Sequence, residues 1–543
     1  MCKTRWWWII ALVAASAVSR PWLPVLKPAD AAPASSNPEA PANSLPISLV
    51  QSVLLALQNN MDIKVERLGP LIREEEVRRE AGAFFSPRVG FELSTDRSLR
   101  VAGSILAGAQ VLETENLDLN TGISMRSLTG GIVSVDFRNK RFETNSVFQF
   151  FDPQYTSELA LTLTHPLLKN FGVGFNEVRI KVARNNMEIS KYQLKAMVVN
   201  LVVDVQLTYW ELVLAATDCA TRRHSLEAAQ HLQRRTAEMV SQGRLPAIAL
   251  LQARTAVLER EIDLVSGENA VADAQARLKA LLNPDQVVVP ADYTLVPTDT
   301  PVVEPHLVSI EAGLRSALAN RPEVSQAKLD QKNKVLGERF ARNQQLPELN
   351  FIGSIGLSGL SGTPTSTPFT TTTIGGLPVS SPLPSGQDAS SYDGGYGAAL
   401  GNLVSGDFMS YKVGLSVQIP LGNQSGRSEV AKSRLEMQRS KITLQSLEQK
   451  IALEVERVAR GINSSLQVIE GARALRDLTD RKLAMAQDGL ELGVAAVTDV
   501  IEAQKNLHLA QRDELRAVIE HQKMLILWER TTAIVLERFH IEL

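Results

Sequence analysis

Tyr411-Lys412-Val413-Gly414-Leu415-Ser416-Val417-Gln418-Ile419 alternates apolar residues with polar or small ones, and Pro420-Leu421 ends the run. Val413, Leu415, Val417 and Ile419 fall on one face of a strand, and Lys412, Ser416 and Gln418 on the other. Residues 426–491, just beyond, contain no proline. As a helix, such a stretch is about 100 Å long. The pattern has a twin. In Tyr155–Thr164, Leu159, Leu161 and Leu163 alternate with Thr162 and Thr164, His165-Pro166-Leu167 closes the strand, and residues 178–241 lack proline.

On either side of these joins a duplication spans most of the chain. Ala56-Leu57-Gln58-Asn59-Asn60 recurs as Ala317-Leu318-Ala319-Asn320-Arg321, and Ser86-Pro87 as Leu346-Pro347. Val182-Ala183-Arg184 recurs as Val430-Ala431-Lys432, and Gly243 with Ala253 as Gly493 with Ala503. Two more strands fit the order: Arg88–Thr95, apolar at Val89, Phe91 and Leu93, and Leu349–Leu357, apolar at Leu349, Phe351, Ile355 and Leu357. Helix, strand, strand, long helix and helix therefore occur twice. The run Ile442, Leu447, Ile451, Val455, Val458, Ile462, Leu466 and Ile469 has coiled-coil-like spacing, and helices this long must pack along their length.

The expected organisation follows. Residues 1–31 read as a signal peptide: Lys3 and Arg5 precede the apolar run Trp6–Val18, and small residues allow cleavage after about 17 or 31. Residues 32–46 read as a flexible leader. The first repeat occupies 47–283, with strands 88–95 and 155–164, long helix 178–241 and return helix 247–282. A proline-rich linker or equatorial region covers 284–305. The second repeat occupies 306–543, with strands 349–357 and 411–419, long helix 426–491 and return helix 495–540. Pro70 is expected to kink or break the first helical stretch. Each repeat carries an insert between its strands. Residues 99–154 contain an extra hairpin, Leu117–Met125 with Ile132–Asn139, joined near Gly130-Gly131. Residues 358–409, rich in Ser, Thr, Gly and Pro, read as a long exposed loop. Neither insert has an assigned role, and both are expected to face the exterior or cap the sheet. Phe148, Phe150, Phe151, Tyr155, Tyr392, Tyr396, Phe408 and Tyr411 flank the strands, either as an interfacial aromatic girdle or as ordinary loop packing.

Composition excludes several classes. A net charge of −2 over 543 residues gives no electrostatic case for nucleic acid. Cys219 lacks a partner after signal cleavage, so no internal disulfide is expected. Val198–Ala216 is apolar, but Asp204, Gln206 and Glu211 mark it as a bundle helix rather than a membrane span. His224 and His231 lie two turns apart without metal-ligand spacing. In Gly172-Val173-Gly174, an acid, Glu177, stands where a phosphate loop has its third glycine. No nucleophile–base arrangement, cofactor or metal is expected.

Four strands with one oily face are too few to close a barrel, and a membrane does not tolerate open sheet edges. Either the sheet is soluble, or two, three or four chains pool their strands into 8, 12 or 16. The pattern alone does not choose. A barrel running directly into a helical tube suits a conduit better than an enzyme pocket.

The duplicated order, the Asn59 and Asn320 signatures, the strand-ending prolines and the paired turns Gly243-Arg244-Leu245-Pro246 and Gly493-Val494-Ala495-Ala496 resemble the TolC family of outer-membrane export ducts over about residues 47–540. The resemblance implies a mainly α fold with a membrane β-barrel: an internally duplicated protomer, a long helical coiled-coil barrel, and four strands given to a trimeric 12-stranded barrel. It implies a homotrimer in outer-membrane lipid, with its helical tunnel in the periplasm. A periplasmic adaptor and an inner-membrane pump would be its partners, and export would be passive, in efflux or type I secretion. The shorter helices would stack end to end, 47–84 with 247–282 and 306–343 with 495–540.

The same resemblance makes Gly243, Arg244, Leu245, Gly493, Val494 and Ala495 adaptor-docking tips. The plainer account of these residues is an αα-hairpin turn. Asp499 and Glu502, one turn past the second tip and spaced i, i+3, share a helix face. Spacing alone describes a solvated face, whereas the resemblance aligns them with acidic rings that constrict the pore. The first repeat has Ala249 and Gln252 at the matching positions. The competing function is a pore-free periplasmic coiled-coil scaffold.

Overall fold

Two pairs of antiparallel helices and one sheet account for most of the chain. The structure is a computed structural model that describes residues 44–104, 107–146, 148–282, 293–303, 308–365, 372–374, 377–379 and 392–541. The expected signal peptide, most of the leader and residues 284–292 and 304–305 of the linker lie outside the described residues. The first repeat runs β1 (Ser44–Ile47), α1 (Leu49–Asn59), α2 (Met61–Glu66), α3 (Leu68–Phe85), β2 (Arg88–Val101), β3 (Val111–Arg126), β4 (Ile132–Thr144), β5 (Phe151–Pro166), α4 (Val173–Asn176), α5 (Val178–Ser241) and α6 (Ala247–Leu282). After β6 (Thr294–Pro297) the second runs α7 (Ile310–Asn320), α8 (Pro322–Gln344), β7 (Glu348–Pro364), β8 (Thr372–Ile374), β9 (Leu377–Val379), α9 (Tyr396–Ser405), β10 (Met409–Gln418), α10 (Gln424–Glu491), α11 (Val497–Thr532) and α12 (Val535–Arg538).

The first helical stretch breaks at Arg67, and Pro70 sits in the opening turn of α3, where its missing amide costs little. Helices α5 and α10 have 64 and 68 residues. They are therefore about 96 and 102 Å long. Propensity does not hold such helices; apolar stripes do. Ile451, Val455, Val458, Ile462 and Ile469 of α10 are buried, whereas Ile442 is exposed. Val198–Val213 of α5 forms the centre of the largest core cluster, with Ile63, Leu278, Leu295 and Ile519. By length and composition alone α5 could cross a membrane, yet 61% of its apolar window is buried in the fold. That burial is the bundle role its polar residues imply.

The joints between short helices are built from single polar side chains. Asn60 caps α2 by accepting from the Asp62 amide at 2.9 Å and donates to the Leu281 carbonyl of α6 at 3.2 Å. In the second repeat, Ser316 of α7 donates to the Thr532 carbonyl of α11 at 2.8 Å. Arg321 stands where the first repeat has Asn60, and pairs with Glu454 of α10 at 2.7 Å. β1 and β6 form a small sheet beside these joints. Asp299, just past β6, accepts from the buried Tyr209 hydroxyl of α5 at 2.5 Å and from the Leu49 amide at 2.7 Å. Burial and the Asp299 hydrogen bond push the Tyr209 hydroxyl up to about 12.

The main sheet is antiparallel throughout, with strand order β10-β7-β5-β4-β3-β2. It is wider than the four strands expected from the sequence. The hairpin expected as a peripheral insert is β3–β4, and it sits inside the sheet between β2 and β5. The second insert also departs from a plain loop in its described residues; 366–371, 375–376 and 380–391 lie outside them. β7 continues to Pro364, and α9 packs on β7 and β5. Gly359 makes this possible, since a Cβ there would collide with the Ala399 carbonyl. Ser361 donates to the Gly395 carbonyl and Asn402 to the Leu360 carbonyl, both at 2.9 Å.

Candidate functional site: the paired helix tips and the sheet faces

Each long helix ends in the same hydrogen-bonded turn. Gly243 (φ 72°) and Gly493 (φ 75°) occupy the left-handed region that other L-residues avoid. Gly243 donates to the Val240 carbonyl at 3.0 Å and Arg244 to Met239 at 2.9 Å; Gly493 donates to Leu490 at 3.2 Å and Val494 to Gly489 at 2.9 Å. Both are Schellman closures, which satisfy the last carbonyls and let the chain reverse. Leu245, Leu490, Val497, Val500, Ala249 and Ala253 form one apolar cluster, so the two tips are a single packed unit.

Two arginines of the first tip converge on Glu491 of the second. Arg235 makes an ion pair with its carboxylate, and Arg244 reaches its backbone carbonyl at 3.4 Å. Neither link is a sequence signal, because the partners are 256 and 247 residues apart. Leu492 and Val494 point into solvent beside them.

Asp499 and Glu502 lie on the first turns of α11 and are both exposed. They are not equivalent. The Asp499 carboxylate accepts from the Ala496 amide at 2.9 Å, closing the helix N-terminus. Ala496 offers no side-chain acceptor in return, so only half of a capping box is made. The spacing of Asp499 three residues after the cap could have revealed this, but the absent Ser or Thr hid it. Ala249 is buried in the tip cluster and Gln252 is exposed.

A second polar layer, also missed from sequence, lies higher between α5, α6 and α11. Arg222 bonds Asp218 at 2.8 Å and the Asp263 carbonyl at 2.8 Å, and Arg260 reaches Asp263 at 3.2 Å. Burial lowers the His508 pKa; Asp218 opposes that shift, while Arg260, Arg222 and Arg512 reinforce it. His224 and His231 are exposed. Among the described residues no cluster of three or more His, Cys, Asp or Glu is arranged to hold a metal ion.

The sheet has two contrasting faces. Followed from strand to strand, direct partners give the row Val89–Ile123–Val135–Leu161–Ile355–Tyr411. Every member is apolar or aromatic, and every one is exposed. One residue along, on the opposite face, runs Arg88–Ser124–Ser134–Thr162–Ser354–Lys412. An exposed apolar face is costly in water and suits hydrocarbon. Tyr392 and Phe408 pack ring to ring at 6.2 Å near the start of β10.

Long paired helices joined to a two-faced antiparallel sheet define an outer-membrane channel class of fold. The outer membrane efflux protein family profile matches residues 53–284 and 313–522, one stretch in each repeat, and the chain belongs to that family. Its place is the outer membrane, with the helical part in the periplasm. The same fold is found in the CmeC outer membrane channel of Campylobacter jejuni, 15% identical with a TM-score of 0.61 over 89% of this chain and 85% of that one. A membrane protein from Pseudomonas aeruginosa is 16% identical with a TM-score of 0.62, covering 92% and 99%. The outer membrane protein VceC of Vibrio cholerae is 14% identical with a TM-score of 0.59, covering 89% and 95%. No curated protein matches the chain. Family and structural neighbours are outer-membrane channels rather than enzymes.

Proposed function

We propose that the chain is one subunit of a homotrimeric outer-membrane duct. It passively exports substrates delivered by an inner-membrane pump through a periplasmic adaptor. The observation that carries this reading is the pair of rows across the sheet. An exposed apolar row lies back to back with a polar one, on strands that lead into helices of 64 and 68 residues. Lipid on one side and a water-filled lumen on the other account for both rows. The open edges of the sheet require further copies, since unpaired strand edges do not persist in hydrocarbon.

In this reading residues 47–283 and 306–543 are two structural repeats of one wall, with 284–305 at the equator. The tips Gly243, Arg244, Leu245, Gly493, Val494 and Ala495 dock the adaptor; exposed Val494 beside exposed Leu492 supplies apolar contact area. Asp499 and Glu502 form acidic rings where three copies converge, restricting the resting pore and favouring cations.

Electron microscopy of the detergent-purified chain tests the reading. A three-fold particle with a hollow helical tail is expected, and a solid or monomeric rod contradicts it. Carbonate extraction separates the competing scaffold, which washes off membranes, from a barrel, which stays. The acidic rings are tested with D499N/E502Q, because Asn keeps a capping acceptor while losing the charge. Higher single-channel conductance and weaker cation selectivity are expected. Unchanged values for both contradict the acidic constriction.

A further inference from the structure

We infer that the β3–β4 hairpin is part of the barrel wall, so that each chain supplies six strands and three chains close an eighteen-stranded barrel. The count of eighteen rests on the trimer proposed above. The placement of the hairpin rests on this chain alone.

Three observations carry the placement. First, β3 and β4 pair on both sides, β3 with β2 over Arg88–Val101 and β4 with β5 over Gln154–Thr164, so removing the hairpin would split the sheet. Second, the turn of the hairpin lies at the helix end of the sheet, not at the far rim. The Gly172 amide, in the β5-to-α4 join, donates to the Thr129 carbonyl at 3.0 Å, and a Cβ on Gly130 would strike the Asn170 carbonyl. The hairpin therefore runs the height of the sheet to its helix end and returns. Third, its alternation is in phase with the rest. Ile123 and Val135 continue the apolar row, and Ser124 and Ser134 continue the polar one.

The edges point to a second copy of the same chain. Along the apolar row the exposures are 72% at Val89, 52% at Ile123, 42% at Val135, 48% at Leu161, 54% at Ile355 and 79% at Tyr411. Exposure is greatest at the two ends, where a lateral neighbour is missing. Among the described residues neither β2 nor β10 has a partner strand on its outer side. Six alternating strands leave β2 and β10 antiparallel to each other. Hence β10 of one copy can pair with β2 of the next without breaking the pattern, and odd-numbered residues keep the apolar parity on both edges. At a strand spacing of about 4.8 Å and a tilt of about 40°, eighteen strands give a ring roughly 36 Å across, against roughly 24 Å for twelve. Barrels of that size hold an aqueous channel.

Cryo-electron microscopy of the purified full-length complex tests the count directly. Eighteen wall strands in a three-fold ring are expected. A three-fold ring of twelve strands, with the hairpin outside the wall, overturns this inference and leaves the duct proposal intact. A different copy number overturns the trimer and the count of eighteen with it. Arginine substitutions give a second readout on the hairpin. I123R and V135R place charge in lipid and are expected to cut assembled protein in outer membranes by about tenfold or more, while S124R and S134R leave it within about twofold. Equal effects of the two pairs would put the hairpin in water and overturn the placement.

Discussion

The carboxylate of Asp499 closes the N-terminus of α11, so replacing it with Ala changes capping and charge together. D499A is expected to cost about 0.3–1 kcal/mol of helix stability, and D499N less, since Asn keeps an acceptor for the Ala496 amide. Thermal unfolding of the two variants under matched conditions separates the roles. The spacing of Asp499 and Glu502 was legible as a shared face; the difference between them was not, because it depends on where the helix begins. His508 offers a pH test. Its pKa is lowered by burial, so its contribution to stability is present above the ordinary histidine value of about 6.5 and is lost as pH falls below it. The melting temperature is expected to drop between about pH 7 and pH 5, and H508Q to flatten part of that slope. Asp218, Arg222, Arg260 and Arg512 face this histidine from three helices, a meeting no single stretch of sequence announces. Tyr209 works in the opposite direction: its raised pKa of about 12 gives stability that is present below about pH 10 and lost as pH rises toward 12. Y209F should abolish that alkaline loss and lower stability at neutral pH by about 1–3 kcal/mol, since Asp299 loses a buried donor.

At the scale of elements, the sequence was most readable where one physical rule acted alone. Helices α5 and α10 were visible because proline is absent and apolar residues recur, and β10 because its two faces differ at every step. β3 and β4 were visible as a hairpin, but their place between β2 and β5 was not. Alternation sets which side a residue faces and says nothing about which strand lies beside it. The end of β7 was hidden for another reason. Gly359, Ser361 and Gly362 are small because α9 and Phe151 press against them, so the apolar signal vanishes there. G359L should expel α9, seen as new protease cleavage within Tyr396–Ser405. The link between the tips was equally silent. Arg235 and Glu491 are both half-exposed, so their pair adds little to stability. Its effect should be on opening: E491A releases Arg235 while Arg244 keeps its backbone acceptor, and the variant is expected to raise open probability in bilayers while leaving the melting temperature nearly unchanged.

Taken as a whole molecule, the duplication is structural, and its departures from symmetry mark where the two repeats do different work. Asn60 ties α1 and α2 to α6 through a cap and one hydrogen bond, whereas Arg321 ties α8 to α10 through a nearly buried ion pair. R321A leaves the part-exposed Glu454 carboxylate without its partner and should cost about 1–3 kcal/mol, at least as much as the roughly 1–2 kcal/mol expected for N60A. Likewise the acids Asp499 and Glu502 have Ala249 and Gln252 at the matching positions of the first repeat, so the proposed constriction belongs to the second. Copy number was not legible in the sequence, because closure of the sheet is decided by edges meeting between chains. In the proposed duct, copies of this chain close around a continuous water path through the outer membrane. Reconstitution of the purified full chain into planar bilayers tests it most directly. Discrete, uniform conductance steps with a preference for cations are the predicted result; membranes that stay silent, with the protein demonstrably inserted, would contradict it.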